Sequence, residues 1–315
     1  MESIIVNNIT KKFGKFTSVD NISFSVGRGE IFGFLGANGA GKSTTIRMLC
    51  GILEPTSGDA DVAGFSIKEN PEMVKRSIGY MSQKFSLYND LTVSENINFF
   101  GGVYGLAGNQ LIERKNWILN IAGLENRENT LASNLSVGFK QRLALGTAVI
   151  HNPQIVFLDE PTGGVDPISR KRFWELINEL SDKGTTVFVT THYLDEAEFC
   201  NRITLIDSGK LIASGSPKEL KSSYLKKTVL KLECSNVYKT VELLEKEDMF
   251  ETVNIFGNSI HVTLKGEKIK AASVIDLKKH EIKNLLSAKD VQVTAIEEIS
   301  PSLEDVFINL LTKSY

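Results

Sequence analysis

Short apolar runs alternate with amphipathic stretches along the first two thirds of the chain. Strands are predicted where apolar residues follow one another almost without a break, as over residues 30–36, 154–160 and 185–192. Amphipathic helices are predicted over residues 41–51, 92–105, 109–124, 137–151 and 168–184. Because buried strands separated by helices form parallel sheets, this pattern predicts an α/β domain with a largely parallel sheet.

Two shorter strands, over residues 22–26 and 77–83, belong to the same part of the chain. A hairpin is predicted over residues 202–215, with its turn at Ser208-Gly209-Lys210, because a glycine separates two apolar runs there.

The pattern changes over residues 216–228, which predict a short helix and then a linker. The order βαββαβ follows, over residues 229–234, 236–248, 250–257, 259–266, 277–289 and 291–299, and a last helix is predicted over 302–311. This order is typical of a small ferredoxin-like α+β domain. We therefore expect two domains, residues 1–225 and 226–315.

Composition excludes several classes of protein. Hydrophobic residues make up 42% of the 315 residues and charged residues 23%, which is typical of a globular protein. A net charge of -2 gives no overall positive field for a nucleic-acid backbone. The three cysteines and four histidines are scattered without the spacing of a zinc site. No run of about 18 apolar residues exists, and the N-terminus does not resemble a signal peptide, so we expect another chain to supply any membrane-spanning helices.

One glycine-rich stretch is typical of a phosphate-binding loop. Residues 36–43, GANGAGKS, fit the pattern GxxxxGK[ST] between a predicted strand and a predicted helix. Its glycines let backbone N–H groups surround phosphates, and the helix N-terminus adds positive potential. Lys42 is expected to reach the β- and γ-phosphates, and Ser43 to bind Mg²⁺. The candidate nucleotide-binding residues here are Gly36, Asn38, Gly39, Ala40, Gly41, Lys42, Ser43 and Thr44.

Polar residues follow three of the predicted strands at their carboxyl ends, where ligands bind in α/β folds. Asp159 and Glu160 end one strand, and they suit a Mg²⁺ ligand and the general base for an attacking water. His192 ends the next strand and is expected to contact the γ-phosphate. Gln83 ends the strand over 77–83, and its amide could touch both Mg²⁺ and the water.

A second helix start that suits an anion lies at LSVG, residues 135–138. One phosphate-binding loop covers only one side of a triphosphate. A serine and a glycine at another helix start could therefore cover the γ-phosphate of a nucleotide held by a second subunit.

These motifs in this order, together with GGVD at residues 163–166, resemble the ATP-binding subunits of ABC transporters. The resemblance covers residues 1 to about 225 and implies a P-loop NTPase fold with a helical subdomain at about 86–150. It implies that Ser136 and Gly138 contact ATP held by the opposite subunit, and that Asp166 lies in a loop crossing the interface. It also implies that Phe13, or else Phe16, stacks on adenine.

The sequence departs from the family's usual signature, LSGGQ. Val137 replaces a glycine and Phe139 replaces the glutamine, while Ser136 and Gly138 remain. We expect a working site that lacks the contact of the glutamine side chain. The interface loop has GGVD where SALD is commoner, but its aspartate, Asp166, is present.

Two segments in the last third of the chain indicate which group of ABC ATPases it resembles. Residues 211–220 and 301–311 resemble the ends of single-domain ATPases from bacterial drug and antibiotic export systems. The implied protein is an ATPase at the cytoplasmic face of the membrane that uses ATP and Mg²⁺. Its partners are a second ATP-binding subunit and a separate transmembrane permease, and its C-terminal domain serves regulation or dimerisation.

Two alternatives stay open, an importer ATPase and a non-transport ABC ATPase of translation or DNA repair. The second usually has two such domains in one chain or long coiled coils, and this sequence has neither. For the permease, Phe85, Leu87 and Tyr88 are expected to form a hydrophobic socket, unless they face the domain's own core.

Overall fold

The computed structural model describes residues 1–84, 86–224 and 226–314, and the chain divides into two compact units, Met1–Ser216 and Pro217–Tyr315. The strands of the first unit are β1 (Glu2–Phe13), β2 (Phe16–Gly27), β3 (Ile31–Leu35), β4 (Ser57–Val62), β5 (Phe65–Ser66), β6 (Ile78–Met81), β7 (Ile155–Asp159), β8 (Thr186–Thr191), β9 (Arg202–Asp207) and β10 (Lys210–Gly215). Its helices are α1 (Lys42–Leu49), α2 (Pro71–Ser77), α3 (Val93–Val103), α4 (Gly108–Ala122), α5 (Val137–Ala148), α6 (Pro167–Asp182) and α7 (Leu194–Ala197), with a 3₁₀ turn at Ala132–Asn134.

The predicted parallel sheet is confirmed. Its strand order is β10-β9-β3-β8-β7-β6, with all neighbours parallel except the β9–β10 hairpin. Every residue of β3, β7 and β8 is buried, because helices or the second sheet cover both faces. The turn of the hairpin is shorter than predicted, since Lys210 already pairs with Asp207. The carboxyl ends of β3, β6, β7 and β8 meet at one edge and position the candidate site.

A second sheet, in the order β2-β1-β4-β5, was largely missed by the sequence analysis. The strand β1, the strands β4 and β5, and helix α2 were not predicted, and only part of β2 was. Register shifts interrupt the β1–β2 pairing, and Asn8 and Asn21 adopt positive φ angles of 50° and 51°. Such bulges break the strict alternation of apolar and polar residues by which a strand is recognised.

Helices α3, α4 and α5 pack around a core of their own, which includes Ile97, Ile118 and Leu143. Helix α3 begins with a capping box, in which Thr92 and Glu95 each accept a hydrogen bond from the other's backbone N–H. This small helical cluster presents the N-terminus of α5, where Ser136 lies.

The second unit contains α8 (Pro217–Tyr224), β11 (Val229–Cys234), α9 (Val237–Leu244), β12 (Phe250–Phe256), β13 (Ser259–Leu264), α10 (Ala272–Ser287), β14 (Val293–Ile299) and α11 (Leu303–Ser314). From β11 to β14 this is the predicted order βαββαβ. The antiparallel sheet has the order β12-β13-β11-β14, and Leu230, Ile260 and Ile282 lie in its fully buried core. Among the described helices of the chain, none is long and apolar enough to cross a membrane.

Candidate active site

The loop between β3 and α1 has a backbone that only glycine accommodates at its last position. Gly41 has a φ of 110°, and a Cβ there would lie 2.6 Å from the carbonyl oxygen of Ser18. The loop therefore lies tightly against β2, and the first N–H groups of α1 have no partner within the helix. Lys42 begins α1, and its almost fully buried ammonium donates to the carbonyl oxygens of Gly36 (2.7 Å) and Ala37 (3.1 Å).

Asp159, at the end of β7, is buried and hydrogen-bonded. Its Oδ1 accepts from the hydroxyl of Ser43 at 3.1 Å and from the hydroxyl of Thr190 at 2.7 Å. A serine hydroxyl and a carboxylate are the hard oxygen donors that Mg²⁺ prefers. Two of the three residues predicted to hold Mg²⁺, Ser43 and Asp159, thus lie side by side at the N-terminus of α1, while the third, Gln83, is hydrogen-bonded to Glu160.

Glu160 is the point where the predicted catalytic residues meet. Its Oε1 lies 3.1 Å from Lys42 Nζ, while its Oε2 lies 3.3 Å from His192 Nδ1 and accepts from Gln83 Nε2 at 3.1 Å. Its backbone adopts φ 46°, an uncommon and strained value for a non-glycine residue. Three side chains, one from the helix α1 and two from the ends of neighbouring strands, therefore converge on the carboxylate that follows β7.

The surroundings of the two acidic residues disfavour further negative charge. Burial raises the pKa of Tyr80 to about 12, with a smaller contribution from the charge of Asp159. Burial and Asp159 also raise the pKa of the Cys50 thiol well above its ordinary value. The site combines a low dielectric with fixed negative charge, which strengthens its attraction for a divalent cation.

The residues predicted to act across an interface lie apart from this group. Ser136 is the exposed N-cap of α5, and Asp166 caps α6 by accepting from the N–H groups of Ile168 and Ser169. The bond from Ser169 N–H keeps the pKa of Asp166 below its ordinary value. In the part of the chain that the structure describes, no hydrogen bond or ion pair joins either residue to Glu160.

The comparisons with known proteins agree with this geometry. Residues 19–163 match the family model of the ABC transporter, and residues 215–311 match that of the C-terminal domain of DrrA1-3-like ATP-binding proteins. The linearmycin resistance ATP-binding protein LnrL of Bacillus subtilis is 36% identical over 308 residues, which cover 96% of each chain. The chain belongs to the ABC transporter ATP-binding proteins.

Other ABC ATP-binding proteins match a smaller share of this chain. The probable multidrug ABC transporter ATP-binding protein YbhF of Escherichia coli is 53% identical over 222 residues, which are 70% of this chain but only 38% of YbhF. Two solved structures, an ATP-binding subunit of an ABC transporter and the dimeric cassette MJ0796 bound to ADP and Pi, are 29% and 27% identical. They cover 70% and 68% of this chain, and 92% and 98% of their own, with TM-scores of 0.64 and 0.62.

Within this ABC ATP-binding protein, the altered signature residue Phe139 has a structural role. Its ring lies between the guanidinium groups of Arg127 and Arg142, at 5.0 and 4.7 Å, and packs against the helical core. Val137 is about half exposed. Gly138 is buried, and a Cβ there would lie 2.4 Å from Ser169 Oγ, so glycine lets α5 approach α6 closely.

The candidate adenine-binding residues Phe13 and Phe16 lie at the end of the β1–β2 hairpin, where they pair with each other. Both rings are at least half exposed, and Lys11 Nζ lies 5.3 Å from the centre of the Phe13 ring. Either aromatic is thus free to stack on a base, and the choice between them stays open. The hydroxyl of Thr44 is hydrogen-bonded to that of Ser18 at 2.9 Å.

Several residues that support the site belong to none of the sequence motifs. Thr190 holds both Asp159, through its hydroxyl, and the N–H of Glu160. Gln141 is fully buried, and its Nε2 donates to the carbonyl oxygen of Pro161 at 2.8 Å. In the sequence, such a position is marked only by a polar residue within an apolar helix or strand pattern. The pattern does not show which group that residue will bond to.

Proposed function

We propose that this chain binds Mg-ATP at the group around Lys42 and hydrolyses it as one half of a dimer. The observation that carries the proposal is the convergence of Lys42, Gln83 and His192 on Glu160. A phosphate-binding lysine and a carboxylate that can accept a proton from water are both needed for phosphoryl transfer to water. This arrangement supplies both within a few ångströms.

The residues fit the two cofactors. The N–H groups at the start of α1 and the Lys42 ammonium suit the β- and γ-phosphates of ATP. Ser43 and Asp159, already in contact at 3.1 Å, would hold Mg²⁺ together with the amide oxygen of Gln83. When bound, Mg²⁺ supplies positive charge that offsets the charge on the phosphates.

The protein's own residues then carry out the remaining steps. Glu160 orients the attacking water and accepts its proton, since its Oε2 lies beside both Gln83 and His192. His192 holds the γ-phosphate, and its ring is fixed by contact with Tyr193, whose ring centre lies 4.1 Å away. The Lys42 ammonium turns from Glu160 towards the phosphates, which leaves the carboxylate available as a base.

A second subunit completes the site. Ser136 and Gly138 belong to the N-terminus of a twelve-residue helix, which favours negative charge, and the Ser136 hydroxyl makes no capping bond to its own helix. These groups would cover the γ-phosphate of ATP held by the partner, while Asp166 shapes the loop that crosses the interface. The solved cassette MJ0796, similar in fold, is described as dimeric.

We further propose that the dimer drives export through a separate permease from the cytoplasmic face of the membrane. Relatives named for multidrug transport, linearmycin resistance and daunorubicin/doxorubicin resistance support an exporter. Since the chain spans just over a third of YbhF, the substrates and partner of that protein do not transfer directly. The C-terminal unit, similar to that of DrrA-like proteins, would tune dimerisation or docking.

An aromatic patch on the helical cluster suits the permease contact. Tyr88, Phe99 and Phe100 pack edge to face or tilted, with ring centres 4.7 to 6.3 Å apart, and Tyr88 and Phe99 are half exposed. Leu87 is partly buried against the core of this cluster, so it serves the core at least in part. Phe85, the third residue of the expected socket, lies outside the described residues.

The test is co-purification of the tagged chain with the membrane protein encoded beside it, and measurement of ATP hydrolysis by the complex. We expect a complex that contains both proteins, and hydrolysis that the Lys42→Ala variant loses. A chain that hydrolyses ATP but never retains a membrane protein would favour a non-transport ATPase. A wild-type complex that does not hydrolyse ATP would contradict the enzymatic part of the proposal.

A further inference from the structure

A carboxylate without an assigned role lies behind the candidate active site. Glu196, in the short helix α7, is fully buried. Its Oε1 accepts a 2.5 Å hydrogen bond from the hydroxyl of Thr162, and its Oε2 accepts a 2.9 Å bond from the hydroxyl of Thr191. One side chain thus joins two segments that are 29 positions apart in the sequence.

Both segments carry a proposed active-site residue. Thr162 follows Glu160 by two positions, and Thr191 directly precedes His192. The hydroxyl of Thr191 also accepts from the N–H of Tyr193, so it fixes the backbone on the far side of His192. A movement of Glu196 would therefore displace the Glu160 loop and the His192 turn together.

Burying the carboxylate of Glu196 costs folding free energy. Removal from water raises the pKa of its carboxyl, and the two threonines and Arg170 oppose that effect. Arg170 Nε lies 3.4 Å from Oε1, and the same guanidinium also contacts Asp195 at 3.3 Å and lies over the Tyr193 ring. A buried carboxylate is retained at such a cost where its bonds fix a specific arrangement, a use already known for some buried polar groups.

The strained backbone of Glu160 needs such support. A non-glycine residue at positive φ persists only where its surroundings hold it in place. On one side Thr190 accepts from the N–H of Glu160, and on the other Pro161 and Thr162 are bound by Gln141 and Glu196. Thr190 belongs to the strand β8 that precedes His192, and Glu196 is the side chain that bonds both to the end of this strand and to the loop beyond Glu160.

We propose that Glu196 is a positioning residue for ATP hydrolysis, which holds the Glu160 carboxylate and the His192 ring in register through Thr162 and Thr191. Glu196 does not touch the nucleotide. It sets the distance between the base and the group that senses the γ-phosphate. This inference rests on the proposed roles of Glu160 and His192.

The experiment measures kcat and ATP affinity in the full-length chain. Thr162→Val and Thr191→Val each remove one hydroxyl with little change of shape, and Glu196→Gln and Glu196→Ala change the carboxylate itself. The rate is divided by the concentration of molecules that bind ATP. Unfolded protein in a sample is then not mistaken for a lower kcat. Thr147→Val is the matched control, because among the described residues its buried hydroxyl bonds only within α5, to the carbonyl oxygen of Ala144.

A misplaced catalytic group costs about 10- to 100-fold in rate, so we expect kcat to fall by that factor in Thr162→Val and Glu196→Ala. The dissociation constant for ATP should stay within about twofold, since Lys42 and the first N–H groups of α1 still hold the phosphates. Glu196→Gln should keep most of the rate, because an amide can accept from one hydroxyl and donate to the other. Thr147→Val should match the wild type.

If Glu196→Ala does not fold, the two threonine variants decide the matter. A normal kcat in both, or a loss of ATP binding in proportion to the loss of rate, would overturn the proposal and leave Glu196 with a purely structural role. Glu160→Gln is measured alongside. If it hydrolyses ATP normally, the proposed function of the site is wrong; if it is inactive while the threonine variants are normal, only the role of Glu196 fails.

Discussion

The Lys42 ammonium and the Glu160 carboxylate form an almost fully buried ion pair, with Nζ 3.1 Å from Oε1. Such a pair is held by the polar groups around it, because an isolated charge is costly to bury. Lys42 has two backbone carbonyls as further partners, and Glu160 has Gln83 and His192. Each charge therefore retains partners when ATP draws Lys42 towards its phosphates.

Glu160→Gln should bind ATP and hydrolyse it slowly. The amide keeps the shape of the side chain but cannot accept the proton of water, and loss of a general base lowers rates by about 10²- to 10⁴-fold. Size-exclusion chromatography with ATP and Mg²⁺ should show a dimer that persists in the variant and dissociates in the wild type. Turnover close to that of the wild type would show that another group is the base.

Mixing Lys42→Ala with Ser136→Arg should restore hydrolysis that neither variant has alone. In a mixed dimer one site collects both defects, while the other combines an intact Lys42 with an intact Ser136. Random mixing makes half of the dimers mixed, so independent sites would recover about a quarter of wild-type turnover. A cysteine placed at Ser136 should also crosslink to a reactive ATP analogue on the other chain. Crosslinks confined to the chain that holds the nucleotide would contradict the shared site.

Phe139→Gln, which restores the family's usual residue, should destabilise the first unit. The ring loses its place between two guanidinium groups and its packing against the helical core, so we expect a loss of about 1–2 kcal/mol. Chemical denaturation with urea measures it. Val137→Ala is the control, since a half-exposed residue should change stability by about 0.5 kcal/mol or less. An unchanged midpoint for Phe139→Gln would show that the ring contributes little.

The sequence predicted those parts of the site that depend on residues close together in the chain. The P-loop, the acidic end of β7 and His192 are local patterns, since strand, turn and chemistry occupy a few consecutive residues. The convergence of Gln83 on Glu160 needed only the rule that parallel strands end at one edge.

The contacts of Gln141 and Glu196 depend on packing between elements, which no spacing in the chain reveals. The missed strand β1 has the same cause. Its bulges and Asn8 interrupt the alternation, and its pairing with β4, more than 40 residues away in the sequence, is a property of the folded chain.

Acidification should weaken the first unit through His151. Burial lowers the pKa of its imidazole from 6.5 to about 4, and the ring stacks on Tyr104 with a centre distance of 3.6 Å. The unfolded chain thus binds a proton before the folded one, so this contribution is complete above pH 6.5 and is lost as the pH falls to about 4. Allowing for solvent screening of a partly exposed ring, we expect a loss of roughly 1–2 kcal/mol.

His151→Phe keeps a stacked ring but has no titrating group. Denaturation midpoints between pH 7 and 4 should therefore fall less steeply in the variant than in the wild type. Equal slopes would show that His151 does not carry this part of the acid sensitivity.

A chain cut after Ser216 should remain a folded ATP-binding protein. All residues of the proposed nucleotide site lie within Met1–Ser216, and the second unit has a buried core of its own. A cut at residue 229 is less suitable, because α8 packs against α11 and would be left exposed. Thermal unfolding and ATP binding of residues 1–216 measure the outcome. An insoluble product, or one that does not bind ATP, would show that the units depend on each other.

The hydrogen bond from Gln141 to Pro161 has a consequence for the working dimer. Ser136, which we propose faces the neighbour's nucleotide, is the N-cap of α5, and about one and a half turns later Gln141 of the same helix is hydrogen-bonded to the loop that follows Glu160. If the neighbour's ATP draws the N-terminus of α5 towards itself, we expect the movement to reach the loop beside the chain's own Glu160. Hydrolysis at one site of the dimer would then depend on ATP bound at the other site. If the mixture of Lys42→Ala and Ser136→Arg recovers less than about a quarter of wild-type turnover, the shortfall would measure how strongly hydrolysis at one site depends on the other.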